Sequence, residues 1–175
     1  SYAAPSERVI VAVAKASKKL KVGVATSRPL FMATPMIKML SLSSFCVVDG
    51  GAIILDPTAN KIVWEQRLIK EDITSIYTVA EELRYPLVYS EGHSQKKFDK
   101  NYIPRKVLGI FFEDLSYKEA KIVEKKLSHI PTISLHKIVS EKPGLVHIKV
   151  RHAIATKQHG ILTVAQLLKI ETHDI

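Results

Sequence analysis

The first fifty residues alternate two hydrophobic periods, and that alternation restricts the fold more than any other feature of the chain. Val9, Val13, Ala16 and Leu20 recur at helical spacing behind Ser6, a good capping residue, which predicts an amphipathic helix over 6–20. "KVGVA" at 21–25 predicts a short strand. Pro29 suits the first turn of a second helix, in which Met32, Met36 or Ile37, and Leu40 form the apolar stripe. "FCVVD" at 45–49 is a compact apolar run, of the kind carried by a strand buried on both faces. Helix, strand, helix, strand is the succession of an α/β layer on a parallel sheet.

The pattern then changes. In "GGAIILDPTANKIVWEQRL" two β-rich runs, at 51–55 and 61–66, flank a turn containing Pro57 and Asn60, which predicts an antiparallel hairpin. "EDITSIYTVAEEL" places Ile73, Ile76, Val79 or Ala80, and Leu83 on one helical face; Pro86 stops the helix and "LVYS" starts a strand. The polar run "EGHSQKKFDKN" reads as a loop with at most a short strand. From Arg105 onward, "KVLGIFFE" is a strand, Ser116 and Glu119 form a capping box for the helix "YKEAKIVEKKL", and "TISLHKIVS" and "LVHIKV" are strands separated by the turn "EKPG". This is a compact α+β unit inserted into the first architecture. After it, Ala155 and Thr156 lead through Lys157 into a helix that turns Ile161 or Leu162, Ala165 and Leu168 inward.

A chain of 175 residues, 46% apolar and 25% charged, has the composition of a soluble globular protein of one domain or two small ones. No apolar run approaches the roughly 18 to 20 residues that span a bilayer, and no secretory signal opens the chain, so neither a membrane nor an export route is expected. The single cysteine, Cys46, rules out an internal disulfide and fits a reducing, cytoplasmic setting. Its place in an apolar run makes it a core residue rather than a nucleophile. The formal charge of +9 raises the question of nucleic acid. Its lysines are scattered, however: Lys15, Lys18, Lys19 and Lys21 on one helix, Lys96, Lys97 and Lys100 in a loop, Lys118, Lys121, Lys125 and Lys126 on another helix. Without interleaved aromatics these read as solvated faces, which argues against a nucleic-acid partner.

"ATSRP" at 25–29 sets a hydroxyl pair, an arginine and a proline where a buried strand turns into a helix. Thr26 and Ser27 suit either a simple helix cap or an anion site. The order "ATSRP", "VVDGGAII", α+β insert and "ATKQHGI" resembles the haloacid dehalogenase superfamily, specifically its Cof-type phosphatases with a large α+β cap. There a strand ends in TGRP, the next in NGA, the cap follows, and an SKG segment returns the chain to the core. The likeness runs along essentially the whole chain. It implies a Rossmann-like α/β core, incomplete in this chain, over 1–68 and 151–175, with the cap at 69–150.

The resemblance also implies the chemistry. The family hydrolyses small phosphate monoesters, sugar phosphates among them, through an aspartyl-phosphate with a magnesium ion offsetting charge. Thr26 would offer its hydroxyl and neighbouring amides to the phosphoryl group, and Lys157 would neutralise phosphoryl oxygens and the nucleophile. Ser27, Arg28, Gly50 and Gly51 would contact substrate, while the cap, with Tyr89, His93 and Lys96 as candidates, chooses the leaving group. The partner is thus a small phosphorylated substrate. Two departures stand out: "TSR" replaces TGR, so Ser27 must accept a backbone glycine often takes, and "DGGA" replaces ENGA, so Gly50 stands where an asparagine is usual.

The family's DxDGT segment, which carries the nucleophile, and its acidic GDxxND segment, which holds the metal, do not occur in these residues, and Asp174 precedes the strand that would bear the latter. The sequence therefore reads as an excerpt, truncated at both ends and inactive as it stands, with no metal ligand of its own. His152 and His159 flank Lys157, but no third ligand accompanies them, and all seven histidines read as surface or loop residues. The alternative is a non-catalytic relative that binds an anionic ligand or RNA, or a phosphosugar phosphotransferase.

Overall fold

The structure, a computed structural model, describes residues 4–99, 102 and 104–174. In chain order its helices are α1 (Glu7–Ala16), α2 (Leu30–Met39), α3 (Lys70–Leu83), α4 (Tyr117–Leu127) and α5 (Lys157–Leu168). Its strands are β1 (Cys46–Val48), β2 (Ile53–Asp56), β3 (Lys61–Glu65), β4 (Leu87–Ser90), β5 (Gln95–Lys97), β6 (Gly109–Ser116), β7 (Ile133–Val139) and β8 (Leu145–His152). The fold is α/β. It divides into two compact units, Ser1–Glu65 with Ala155–Ile175, and Gln66–Ile154. No helix among the described residues is long and apolar enough to cross a membrane.

In the first unit β1, β2 and β3 form an antiparallel sheet in that order. The β2–β3 hairpin turns on Asp56, whose Oδ1 accepts from the Thr58 amide at 2.9 Å, the Thr58 hydroxyl at 2.6 Å and the Ala59 amide at 3.1 Å. Those donors, the Thr58 hydroxyl first, hold its carboxyl below the ordinary value. The strand expected over 21–25 is reduced to one parallel bridge, Ala25 with Val47. A ladder needs a partner along its length, and β1, whose other edge faces this segment, is only three residues long.

Ser6 caps α1, accepting from the Val9 amide at 3.4 Å, as expected. The helix stops at Ala16 rather than 20, and none of its residues is buried; Val9 of the apolar stripe is 45% exposed. Pro29 stands one place earlier than expected, as the N-cap of α2. Pro35 lies inside α2, where its missing N–H removes one bond to the preceding turn. Cys46 is buried, and burial pushes its thiol up, in keeping with a core role.

The second unit is one antiparallel sheet of order β5-β4-β6-β8-β7. Ser116 closes α4 with the expected capping box: Ser116 N donates to Glu119 at 2.7 Å and Glu119 N to the Ser116 hydroxyl at 3.3 Å. Ile110, Phe112 and, past an irregularity in the register, Leu115 of β6 share a core with Val146, Ile148 and Val150 of β8, Ile73 and Ile76 of α3, and Val123 and Leu127 of α4. Tyr89 belongs to this core, only 4% exposed and edge-on to Phe98 at 5.5 Å, so its expected role in choosing substrate is not what its position supplies. The polar run 91–101 contains β5, with positions 100 and 101 outside the described residues.

Candidate functional site

Three stretches of the first unit meet at Asp49–Gly51, a short 3₁₀ turn following β1. The first is the loop after the Ala25 bridge. Thr26 N donates to Val47 O at 2.9 Å, and Val47 N donates to Val24 O at 2.8 Å. The loop is then fastened to the turn, with Gly50 N donating to Thr26 O at 2.9 Å and Asp49 N to Arg28 O at 2.8 Å. Inside the loop, Arg28 N donates to the Thr26 hydroxyl oxygen at 3.2 Å, which orients that side chain while leaving its proton available. Thr26 and Arg28 are half-buried; Ser27, between them, is exposed.

The entrance of α5 abuts the other side of the turn. A Cβ built on Gly51 would lie 2.1 Å from the Thr156 carbonyl oxygen and 2.7 Å from its nitrogen, and Gly51 sits at φ +110°, so only glycine fits there. Thr156 caps α5, its hydroxyl oxygen accepting from His159 N at 3.0 Å. Lys157 follows as the first helical residue, with its side chain exposed. The structure thus gathers Thr26, Arg28, Gly50, Gly51 and the start of the Lys157 helix around one turn, from segments more than a hundred positions apart.

Asp49 is the residue that sequence reasoning passes over. It is fully buried at φ 54°, and Gly50 follows at φ 71° and Gly51 at φ 110°, three left-handed residues in succession. Aspartate tolerates that conformation better than most residues, and "DGG" is the signal that could disclose the turn. Ser27, by contrast, is not among the residues at positive φ, so serine in place of the family's glycine adds no backbone strain there.

The histidines also need correction. His136, His147 and His152 lie on β7 and β8, and His159 lies in α5 with its ring 5.4 Å from that of Trp64. Lys96 is exposed on β5 and paired with Glu91 at 2.7 Å, while His93 is exposed between β4 and β5. Among the described residues no three His, Cys, Asp or Glu side chains are placed to hold a metal ion, so these residues do not fit a metal centre by themselves. A groove of about 700 Å³ runs beside the 21–25 segment, with Val24 and Ala25 on one side and Ile161, Val164 and Leu168 of α5 on the other.

A five-strand antiparallel unit set into a chain whose glycine turn joins a threonine loop to a lysine-led helix is the arrangement of a haloacid dehalogenase-like hydrolase, and that family matches residues 3–175. The chain belongs to it. Among curated proteins it is similar to "Putative phosphatase YxeH" of Bacillus subtilis (strain 168), 24% identical over 180 residues that cover 89% of this chain. The match spans 66% of that relative's length. Among solved structures it is similar to a haloacid dehalogenase-like hydrolase from B. subtilis, with a TM-score of 0.78 at 15% identity, covering 96% of this chain and 74% of the other. It is also similar to the subclass IIB sugar phosphatase BT4131, with a TM-score of 0.72 at 17% identity, covering 96% and 70%. These likenesses carry the fold.

Proposed function

We propose that the chain supplies the phosphoryl-gripping part of a magnesium-dependent phosphatase for small phosphate monoesters, sugar phosphates among them. The observation that carries this reading is the Asp49–Gly51 turn, bonded to the Thr26 loop and pressed by Gly51 against Thr156, next to Lys157. The Thr26 hydroxyl and the amides around it would donate to phosphoryl oxygens, fixed in advance by the loop's own bonds. The Lys157 ammonium, a compact point charge, would offset the charge that spreads over those oxygens in the transition state. An aspartate would attack phosphorus, the alcohol would leave, and water would then cleave the aspartyl-phosphate to release phosphate.

That aspartate and the carboxylates that hold magnesium, whose charge would offset the phosphate's, would come from acidic segments outside these 175 residues. The groove beside 21–25 supports this, because its apolar walls and the unladdered edge of 21–25 suit a buried parallel strand. The phosphatase and sugar-phosphatase descriptions of the relatives point to the same substrate class. The second unit would act as the cap that selects the leaving group.

Phosphate release by the full-length protein from a panel of sugar phosphates, with magnesium and with chelator, tests the reading. Release is expected with the metal alone, and Lys157→Ala is expected to lower kcat by about 100-fold or more, the scale of losing one transition-state donor. Because Lys157 is exposed, its melting temperature should not move. Undiminished release from Lys157→Ala, or equal release in chelator, would overturn the assignment.

A further inference from the structure

Beside the candidate site of the first unit, Trp64 and His159 are set ring to ring, and neither has a part in the chemistry proposed above. Their ring centres are 5.4 Å apart at an angle of 47°, and both side chains are half-buried. A tilted pair at this distance has a preferred geometry, so it resists sliding as well as separation. Trp64 stands opposite Ile54 on β2, shortly after the Asp49–Gly51 turn, while His159 lies in the first turn of α5 just past Lys157. The contact ties the site end of the β2–β3 hairpin to the helix that carries the lysine.

The rest of α5 makes that tie informative. Its buried residues are Gly160 and Ala165, both small. A Cβ on Gly160 would lie 2.5 Å from Val47 Cγ1 and 3.2 Å from Val47 Cγ2, so the helix backbone comes directly against β1. Val47 there meets both halves of the site: its carbonyl accepts from Thr26 N at 2.9 Å, and its side chain seats Gly160. Helices lock against their neighbours through ridges of side chains. A seat of glycine and alanine therefore sets how near α5 lies to β1, and leaves the roll of the helix about its own axis to contacts on its flanks. At about 100° per residue, His159 and Lys157 lie roughly 160° apart around the helix, on either side of Gly160. A roll at the His159 flank would swing Lys157 on the other.

We propose that Trp64 and His159 are positioning residues for Lys157: their ring contact stops α5 from rolling on the Gly160–Val47 seat, and so fixes the lysine relative to the Thr26 loop. What the ammonium does there rests on the phosphatase reading; what holds the helix rests on the packing of the first unit alone. Because Lys157 would act on charge that grows in the transition state, loss of the brace should fall on kcat rather than on KM.

Kinetics of the full-length protein on the sugar phosphate it hydrolyses fastest test this. Trp64→Ala and His159→Ala are each expected to lower kcat about tenfold with KM changed less than about threefold, since a misplacement near 1 Å at a reacting centre costs up to about 100-fold. Trp64→Phe and His159→Phe keep a ring at each position and should stay within about threefold of the wild-type rate. In a Lys157→Met background Trp64→Ala should lower kcat by less than about twofold further, because no ammonium is left to misplace. Amide hydrogen exchange reads the brace without turnover. The His159 and Gly160 amides, bonded to the Thr156 hydroxyl and carbonyl oxygens, should exchange about tenfold faster in Trp64→Ala. Should that variant fail to fold, His159→Ala removes the same contact from the other side, and the Gly160 amide still reports it.

Unchanged kcat in both alanine variants, or a loss as large without Lys157 as with it, would overturn the positioning role. An enzyme that needs Lys157 but ignores Trp64 and His159 keeps the phosphatase reading and loses the brace. Should Lys157→Met release phosphate as fast as the wild type, the phosphatase reading falls; faster exchange in the first turn of α5 then still supports the brace, and unchanged exchange removes it too.

Discussion

The second unit closes its core from its own residues, with Phe112, Ile148 and Val150 of the sheet lying under Ile73, Ile76, Val123 and Leu127 of two helices. In the first unit α1 buries no residue, the 21–25 segment makes a single bridge, and the turn at the candidate site is held by backbone bonds and by the close approach of Gly51 to Thr156. Apolar burial is diffuse and tolerates small losses, whereas a backbone clasp depends on a few atoms. The comparison therefore teaches where each unit is brittle: the first at a turn, the second throughout its packed interior.

Gly51→Val should have the largest effect. The new side chain would meet the Thr156 carbonyl and force a branched residue to φ +110°, a combination expected to exceed about 5 kcal/mol. Hydrogen exchange should show protection lost across the first unit and retained in the second; a uniform loss would break the contrast. Phe112→Ala should reverse the picture, destabilising the second unit by about 3–5 kcal/mol. Ser116→Ala removes half of the capping box and should lower the second unit's stability by about 1 kcal/mol in denaturant melts.

Acid should act more weakly on the same unit. Lys142 and then Ser140 hold the Asp114 carboxyl below its ordinary value, and Ser116 does the same for Glu119. A carboxyl with a lowered folded value stabilises above its unfolded value and loses that contribution as pH falls through the folded one. Melting temperatures taken from about pH 5 down to pH 3 should therefore fall, and Asp114→Asn should flatten the decline. Smallest of all, breaking the exposed Lys126–Glu82 pair between α4 and α3 should shift stability by no more than about 0.5 kcal/mol.

Much of the molecule is legible locally. The Ser116 box, the Ser6 cap, the β2–β3 hairpin and the amphipathic α3 and α4 are written within a few residues of themselves, and the sequence discloses each of them. What stays hidden depends on distant partners. The stripe of α1 has the right period, but nothing in its own segment decides whether it is buried. Likewise, the contact that makes Gly51 indispensable is with Thr156, far along the chain. "LVHIKV" reads as a strand, yet period two alone does not say which side is the core, and so does not disclose that Lys149 and Arg151 are hidden or that Tyr89 lies inside. The candidate-site residues Thr26 and Lys157 emerge only through motif order, since neither a threonine nor an exposed lysine is distinctive by itself.

The lone bridge between Ala25 and Val47 has a practical consequence. Along the rest of 21–25, peptide groups border a greasy trough with no continuous ladder among the described residues, which is the geometry of an adhesive seam. Prepared as 175 residues and concentrated, the polypeptide should stick to itself through that seam. A peptide able to lie in the trough as an added strand should keep it monodisperse.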